Sequence, residues 1–273
     1  MQKIDRLGWS AGFAFKSYGV RVGVRVTDAA VLPHFIERVP PGSKPIDSKI
    51  VDHLYSVVTG RAGSRSWIKR HNIVYRGAER LVRSIHLEAV LDTFESNLQL
   101  TVAEWSSLRV FVHAGVVGWK RKAILVPGLS FSGKTTLVKH LVQAGAKYYS
   151  DEYAVLDARG WVHPYPRPLG IRSQESFRAE KVRVEELGGI RGSRSLPVNL
   201  IVFTHFKTGA IWRPHRLSAG KGVLALLSHT VNARRRPALA LTTLPKVVAN
   251  GIVLKGVRGE ALETAEAILA KVS

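Results

Sequence analysis

The sequence predicts an α/β protein preceded by a smaller α+β domain, and two observations carry that expectation. The first is Gly128-Leu-Ser-Phe-Ser-Gly-Lys-Thr135, a complete G-x-x-x-x-G-K-T run set between an apolar stretch and a helical one. The second is a first third of mixed character, alternating strands with one long amphipathic stretch, that ends near residue 107. The expected domains are residues 1–107 and residues 108–273, the latter built round the glycine run.

Taken in order, residues 14–26 alternate apolar and polar side chains and read as a strand pair with a turn near Gly19. Residues 29–38 predict a short helix, stopped by Pro40-Pro41-Gly42. Further strands are expected at 51–58 and 67–75. Residues 78–106 carry apolar side chains at 82, 85, 87, 90, 91 and 94, which predicts one or two helices. In the second domain, 109–117 and 123–127 read as strands joined by a turn over 118–122. Gly145 is placed to end the helix that follows the glycine run. Strands are expected at 147–150 and 153–157, with a hairpin turn at 157–160. A helix and exposed loop are expected over 175–195, then a buried strand at 196–205. Helices at 220–232 and 236–247, a strand at 252–256 and a terminal helix at 259–272 complete the reading.

The glycine run has a physical meaning in this setting. Ala123-Ile-Leu-Val-Pro127 enters it as a strand, and the apolar positions 137, 138, 141 and 142 leave it as a helix face. Backbone N–H groups of the loop and first helical turn have no internal partner and point at an anion, with the helix dipole adding to the attraction. Gly128 and Gly133 supply backbone freedom. The expected phosphate cradle is Gly128, Ser130, Ser132, Gly133, Lys134, Thr135 and Thr136. Lys134 reaches the β- and γ-phosphates, and the Thr135 hydroxyl ligates Mg²⁺.

Composition narrows the classes. Of 273 residues, 45% are hydrophobic and 22% charged, which fits a folded globular chain. No apolar run reaches the ~18 residues of a membrane span, and the first residues lack a secretory leader. No cysteine is present, so disulfides and thiolate sites are excluded, and a cytoplasmic protein is the expectation. The net charge of +21 is uneven: residues 1–107 hold 15 Lys/Arg against 10 Asp/Glu, and residues 108–273 hold 26 against 10. That field attracts nucleotides, nucleic acid or acidic surfaces. The basic residues are scattered, however, without interleaved aromatics, so nucleic acid is allowed but not favoured.

Two further groups can supply chemistry beside the loop. Asp151-Glu152 follows Lys134 just past an expected strand, and adjacent carboxylates there can divide proton acceptance and Mg²⁺ binding. His113 lies in an expected strand ahead of the loop, where it can tune a base or meet the nucleotide.

His113-Ala-Gly, the loop 128–135 and Tyr149-Ser-Asp-Glu152 together resemble the carboxyl-terminal catalytic domain of HPr kinase/phosphorylase, itself similar to the nucleotide site of phosphoenolpyruvate carboxykinase. The resemblance covers roughly residues 108–273 and is strongest over 111–158. It implies a P-loop kinase core of that type, using ATP and Mg²⁺. Asp151 would be the general base, His113 its neighbour, Lys134 and the loop amides the phosphate binders, and Thr135 the metal ligand. Glu152 stands where the family has a second aspartate and would add to the metal site. The segment Pro164-Tyr-Pro-Arg-Pro-Leu-Gly-Ile-Arg172 is similar to a proline-and-arginine stretch of relatives, and gives Arg172 a catalytic, charge-neutralising role. The longer signature of true HPr kinases is missing and residues 1–107 do not resemble their amino-terminal domain. The implication is therefore the kinase chemistry, not the HPr substrate. The expected function is a phosphotransferase acting on a hydroxyl of a small molecule, peptide or protein, with a homo-oligomer compatible with it. The alternative is a regulatory or nucleic-acid-associated nucleotide-binding ATPase.

Overall fold

The computed structural model describes residues 3–60, 71–128, 132–171 and 180–272. The protein is mixed α/β and divides into two compact units, Met1–Ser107 and Leu108–Ser273.

The first unit opens with a hairpin. β1 (Ala11–Ser17) and β2 (Val20–Val26) pair antiparallel, with Ser17 opposite Val20. Tyr18 and Gly19 between them both have positive φ, the turn whose twist matches that of the flanking strands. The short helix expected at 29–38 is a 3₁₀ turn, Ala29–Val31, running into α1 (Leu32–Ile36). Next come β3 (Lys44–Pro45), β4 (His53–Val58), β5 (Asn72–Arg76), β6 (Glu79–Ser84) and α2 (Leu87–Trp105). The sheet order is β3-β1-β2-β4-β5-β6. Residues 61–70 lie outside the described residues, so the strand expected at 67–75 is seen only in its second half, as β5.

The helix expected from residue 78 is corrected. Gly77, at φ 57°, turns the chain so that Glu79 pairs back on Arg76, and residues 79–84 become a strand. Helix begins only at Leu87. Its buried face, Val90, Leu91, Phe94 and Leu98, packs on Val22, Val24 and Tyr55 of the sheet. The Phe94 ring meets Phe35 and Tyr55 edge-on, at centroid distances of 4.9 and 5.2 Å, the preferred aromatic geometry.

The second unit carries the glycine run. Its elements are β7 (Val110–Trp119), β8 (Lys122–Pro127), α3 (Lys134–Gln143), β9 (Lys147–Ser150), β10 (Tyr153–Leu156), β11 (Trp161–His163), β12 (Leu169–Ile171), β13 (Glu180–Val182), β14 (Leu196–Phe206), β15 (His215–Arg216), α4 (Ala219–Leu227), α5 (Pro237–Ala249), β16 (Ile252–Arg258) and α6 (Ala261–Ala270). The main sheet runs β11-β10-β7-β8-β14-β16-β15, with β9 also on β7 and β11 also on β14. β8, β14 and β16 are mutually parallel, and β7 is antiparallel to β8.

The central segments of these strands are apolar because both faces are covered. Period-two alternation sends Leu125, Ile201 and Val253 to one core, shared with Leu226 of α4 and Leu244 and Val247 of α5. Ile124, Val126, Leu200 and Val202 face the other, shared with Leu137 and Leu141 of α3 and Ile268 of α6. The β7–β8 turn is two residues long, Lys120 and Arg121, both at positive φ (45° and 64°). At the next hairpin the Asp157 carboxylate accepts from the N–H groups of Arg159 (2.9 Å) and Trp161 (3.0 Å), which fixes the turn expected there.

Two more expectations are corrected. Of the helix and loop expected over 175–195, residues 175–179 lie outside the described residues, and 180–195 form β13, a 3₁₀ turn at Val184–Leu187 and loop, not an α-helix. Helix α4 ends at Leu227 rather than 232, and the chain then runs beside β7, Val231 N–H donating to Phe111 C=O at 2.8 Å.

Candidate functional site

The site is assembled on the carboxyl end of β8 and the amino end of α3. Gly133 caps α3 at φ 81°, ψ 18°, a conformation that a side chain penalises. A Cβ there would also run into the guanidinium of Arg258. At Gly128 the absence of a side chain leaves room for Ser132, whose Oγ would stand 2.6 Å from an added Cβ. Ser130 and Arg172 lie outside the described residues. Thr136 is exposed on the first turn of α3.

Lys134 is buried, with 7% of its surface exposed. Burial lowers its pKa, while the nearby carboxylates of Asp151 and Glu152 pull it back up. The Thr135 hydroxyl donates to Asp151 Oδ2 at 2.8 Å. The other oxygen of that carboxylate, Oδ1, is sealed from solvent and has no hydrogen-bond partner among the described residues. Burial drives the Asp151 pKa up to about 7, against the opposing pull of the Thr135 hydrogen bond and of Lys134 and with a small push from Glu152. Asp151 is held here by its own turn: Ser150 Oγ accepts from the N–H groups of Glu152 (3.2 Å) and Tyr153 (3.0 Å).

His113 sits opposite Tyr153 in the β7–β10 ladder, and its Nε2 lies 3.4 Å from Glu152 Oε1. Its carbonyl accepts from Gly128 N–H at 3.3 Å, so it is tied to the start of the loop. Sequence reasoning assigned the metal to Glu152. The carboxylate that touches the expected metal-binding hydroxyl is that of Asp151, whereas Glu152 turns towards His113 and solvent.

Sequence reasoning missed two residues. Arg258, 2% exposed at the end of β16, donates from Nη2 to Gly133 C=O at 3.0 Å and from Nη1 to Gly259 C=O at 2.9 Å. It braces the glycine that shapes the loop. Burial lowers its pKa, countered by Glu260. His229, just past α4, accepts the His113 N–H on its backbone carbonyl at 2.8 Å. Its imidazole pKa is lowered by burial first and then by His113 and Lys134, which keeps it neutral near pH 7. Neither position carries a local sequence signal, because both reach the site through strand pairing with distant segments.

No protein-family model matches the chain, and no curated protein matches it.

Oxygen ligands are the kind that a hard cation takes. Thr135 Oγ1, the unpartnered Asp151 Oδ1 and the carboxylate of Glu152 are all oxygens. Among the described residues no three His, Asp or Glu side chains gather as a full protein cage. No helix among the described residues is long and apolar enough to cross a membrane.

Proposed function

We propose that this chain is an ATP- and Mg²⁺-dependent kinase that moves a phosphoryl group to a hydroxyl acceptor. One observation carries the reading: Lys134, Thr135 and Asp151 meet at the mouth of a helix N-terminus, with Thr135 Oγ1 2.8 Å from Asp151 Oδ2. The resemblance of His113, the loop and Asp151-Glu152 to HPr kinase chemistry supports the same reading from sequence.

Each group then has a task that its surroundings permit. The N–H groups opening α3 and the Lys134 ammonium hold the β- and γ-phosphates. Mg²⁺, when bound by Thr135 with Asp151 or Glu152, would neutralise charge between those phosphates. Asp151 orients Thr135 through Oδ2, and its carboxylate is the group assigned to take the acceptor proton. A carboxylate pKa of about 7 lets it take that proton at neutral pH and pass it on afterwards. His113 fixes Glu152 at the other side of the pair. Catalysis in this scheme is positioning and charge neutralisation, because phosphoryl transfer asks little covalent chemistry of the protein.

The test is incubation of purified protein with γ-labelled ATP and cell extract, followed by identification of the labelled molecule. Label transfer by the wild type that vanishes in Lys134→Ala is the expected result. Labelling that survives in Lys134→Ala would sink the proposal.

A further inference from the structure

A cavity of about 520 Å³ opens beside the loop, at the carboxyl ends of the parallel strands β8, β14 and β16. Ligands of open α/β sheets bind outside these strand ends, and a volume of this order suits a small molecule. Its walls are mainly apolar, including Pro127, Phe203, Ala225 and Val257. Three lining residues, Ser132, Thr204 and His229, each hold a buried polar side-chain atom with no hydrogen-bond partner among the described residues. Buried polar atoms are normally paired, so three on one cavity wall call for a ligand with matching groups. The exposed residues His205, His215 and Lys255 also line it and give a polar rim with one fixed positive charge, on Lys255.

The inner wall borders the proposed phosphoryl site. Ser132 belongs to the glycine run, Gly128 N–H donates to the His113 carbonyl, and His113 N–H donates to the His229 carbonyl. An occupant reaching this wall meets Gly128 and Ser132 of the glycine run and His229. We infer that this cavity is the acceptor site of the proposed kinase and takes a small alcohol with an apolar body and one anionic group. The inference rests on the kinase reading. The apolar walls hold the body, Lys255 on the rim takes the anion, and the hydroxyl faces the loop. In the reaction the acceptor oxygen bonds to the γ-phosphorus as the bond from that phosphorus to the β–γ bridging oxygen breaks. The hydroxyl proton passes to the Asp151 carboxylate, and a phosphate monoester and ADP leave.

The test uses the full chain and two binding measurements. Ligand-observed NMR is run with hydroxycarboxylates and phosphorylated alcohols, including 3-phenyllactate and glycerol 3-phosphate, and calorimetry is run with MgADP. Ala225→Trp and Ser228→Trp, one inside and one at the exposed lip, fill the cavity from positions outside the glycine run. Both are expected to weaken the best probe at least about tenfold, a change of about 1.4 kcal/mol, with MgADP affinity within about twofold of wild type. Lys255→Glu is expected to weaken it as well. No probe bound at about 10 mM, or probe affinity unchanged in both Trp variants while MgADP still binds, overturns the assignment. So does a labelled acceptor from extract that proves to be a protein. Wild type that binds a probe but no MgADP would instead remove the kinase reading beneath it.

Discussion

The Arg258 guanidinium donates to the Gly133 carbonyl at 3.0 Å, joining the last residue of β16 to the residue that caps α3. That carbonyl also accepts from Leu137 N–H at 3.2 Å, so one oxygen ties the loop both to its own helix and to a strand two places across the sheet. The loop is thus braced from outside the glycine run.

Removing the brace has a defined outcome. Arg258→Ala is expected to cost about 2–3 kcal/mol of stability, since hydrogen bonds from a buried charged group are lost. Nucleotide affinity should drop by roughly tenfold or more as the α3 amides lose their alignment. Arg258→Lys should recover only part of both, because a single ammonium cannot serve two carbonyls with the geometry of a planar fork. Thermal unfolding and MgADP calorimetry measure the two effects. Unaltered affinity in a folded Arg258→Ala protein would show that the loop holds its shape unaided.

Asp151 predicts a pH dependence of the nucleotide-free protein. Its folded pKa, about 7, lies above the ordinary value of 3.8, because burial disfavours the charge. Between those values the folded state retains a proton that the unfolded state has released. The Asp151 contribution to stability therefore falls as pH rises from about 4 to about 7, by at most about 1.4 kcal/mol per pH unit, and is level on either side. Asp151→Asn keeps an acceptor for Thr135 and removes the charge. The variant should melt above wild type at pH 8 and match it near pH 4. A melting difference that does not vary with pH would contradict the raised pKa.

The two adjacent carboxylates should separate in single-turnover kinetics. Asp151→Asn is expected to bind MgATP yet lose transfer by about 10²–10⁴-fold, the usual weight of a general base. Glu152→Gln should fall less. The opposite order would assign proton acceptance to Glu152, backed by His113 3.4 Å away.

Asp157 offers a control away from the loop. Burial pushes its carboxyl up, but hydrogen bonds from His163, the Trp161 N–H and Arg159 outweigh this and hold it at about 2. With the pKa depressed from 3.8, its stabilisation is complete above about pH 4 and is lost as pH falls towards 2. Asp157→Ala should cost about 1–3 kcal/mol by orphaning two turn N–H groups, while transfer per folded molecule stays unchanged. Denaturant titration at pH 7 and pH 3 reads the first effect, and kinetics reads the second.

The β7–β8 turn can be improved. Lys120 and Arg121 both occupy left-handed backbone, which disfavours ordinary side chains by about 1–2 kcal/mol each. Lys120→Asn with Arg121→Gly supplies the residues this turn prefers, and should stabilise the protein by about 1 kcal/mol. A lowered melting temperature would count against the turn geometry.

What was legible from sequence follows the range of each signal. The apolar runs 123–127 and 200–203 have no polar interruption, and they are strand segments buried on both faces. The helix after Gly133 announced itself through Leu137, Val138 and Leu141. Residues 79–84 misled, because Val82 and Ile85 also fit a helical spacing, and only the reversal at Gly77 decides for strand. His229 was read as part of a helix that the fold ends at Leu227, so its approach to β7 was hidden. Arg258 was one of 26 basic residues in its half of the chain, and nothing local distinguished it.

His113 and the opening of the loop belong to a single hairpin, since Ala114 pairs with Pro127 and only two residues join β7 to β8. Strand side chains alternate faces, so one residue gained or lost between Gly118 and Ala123 would swing His113 to the far side of the sheet. The spacing between histidine and glycine run is accordingly a mechanical dimension of the molecule. Homologous chains that keep the chemistry are expected to vary the letters of that connection while leaving its length untouched.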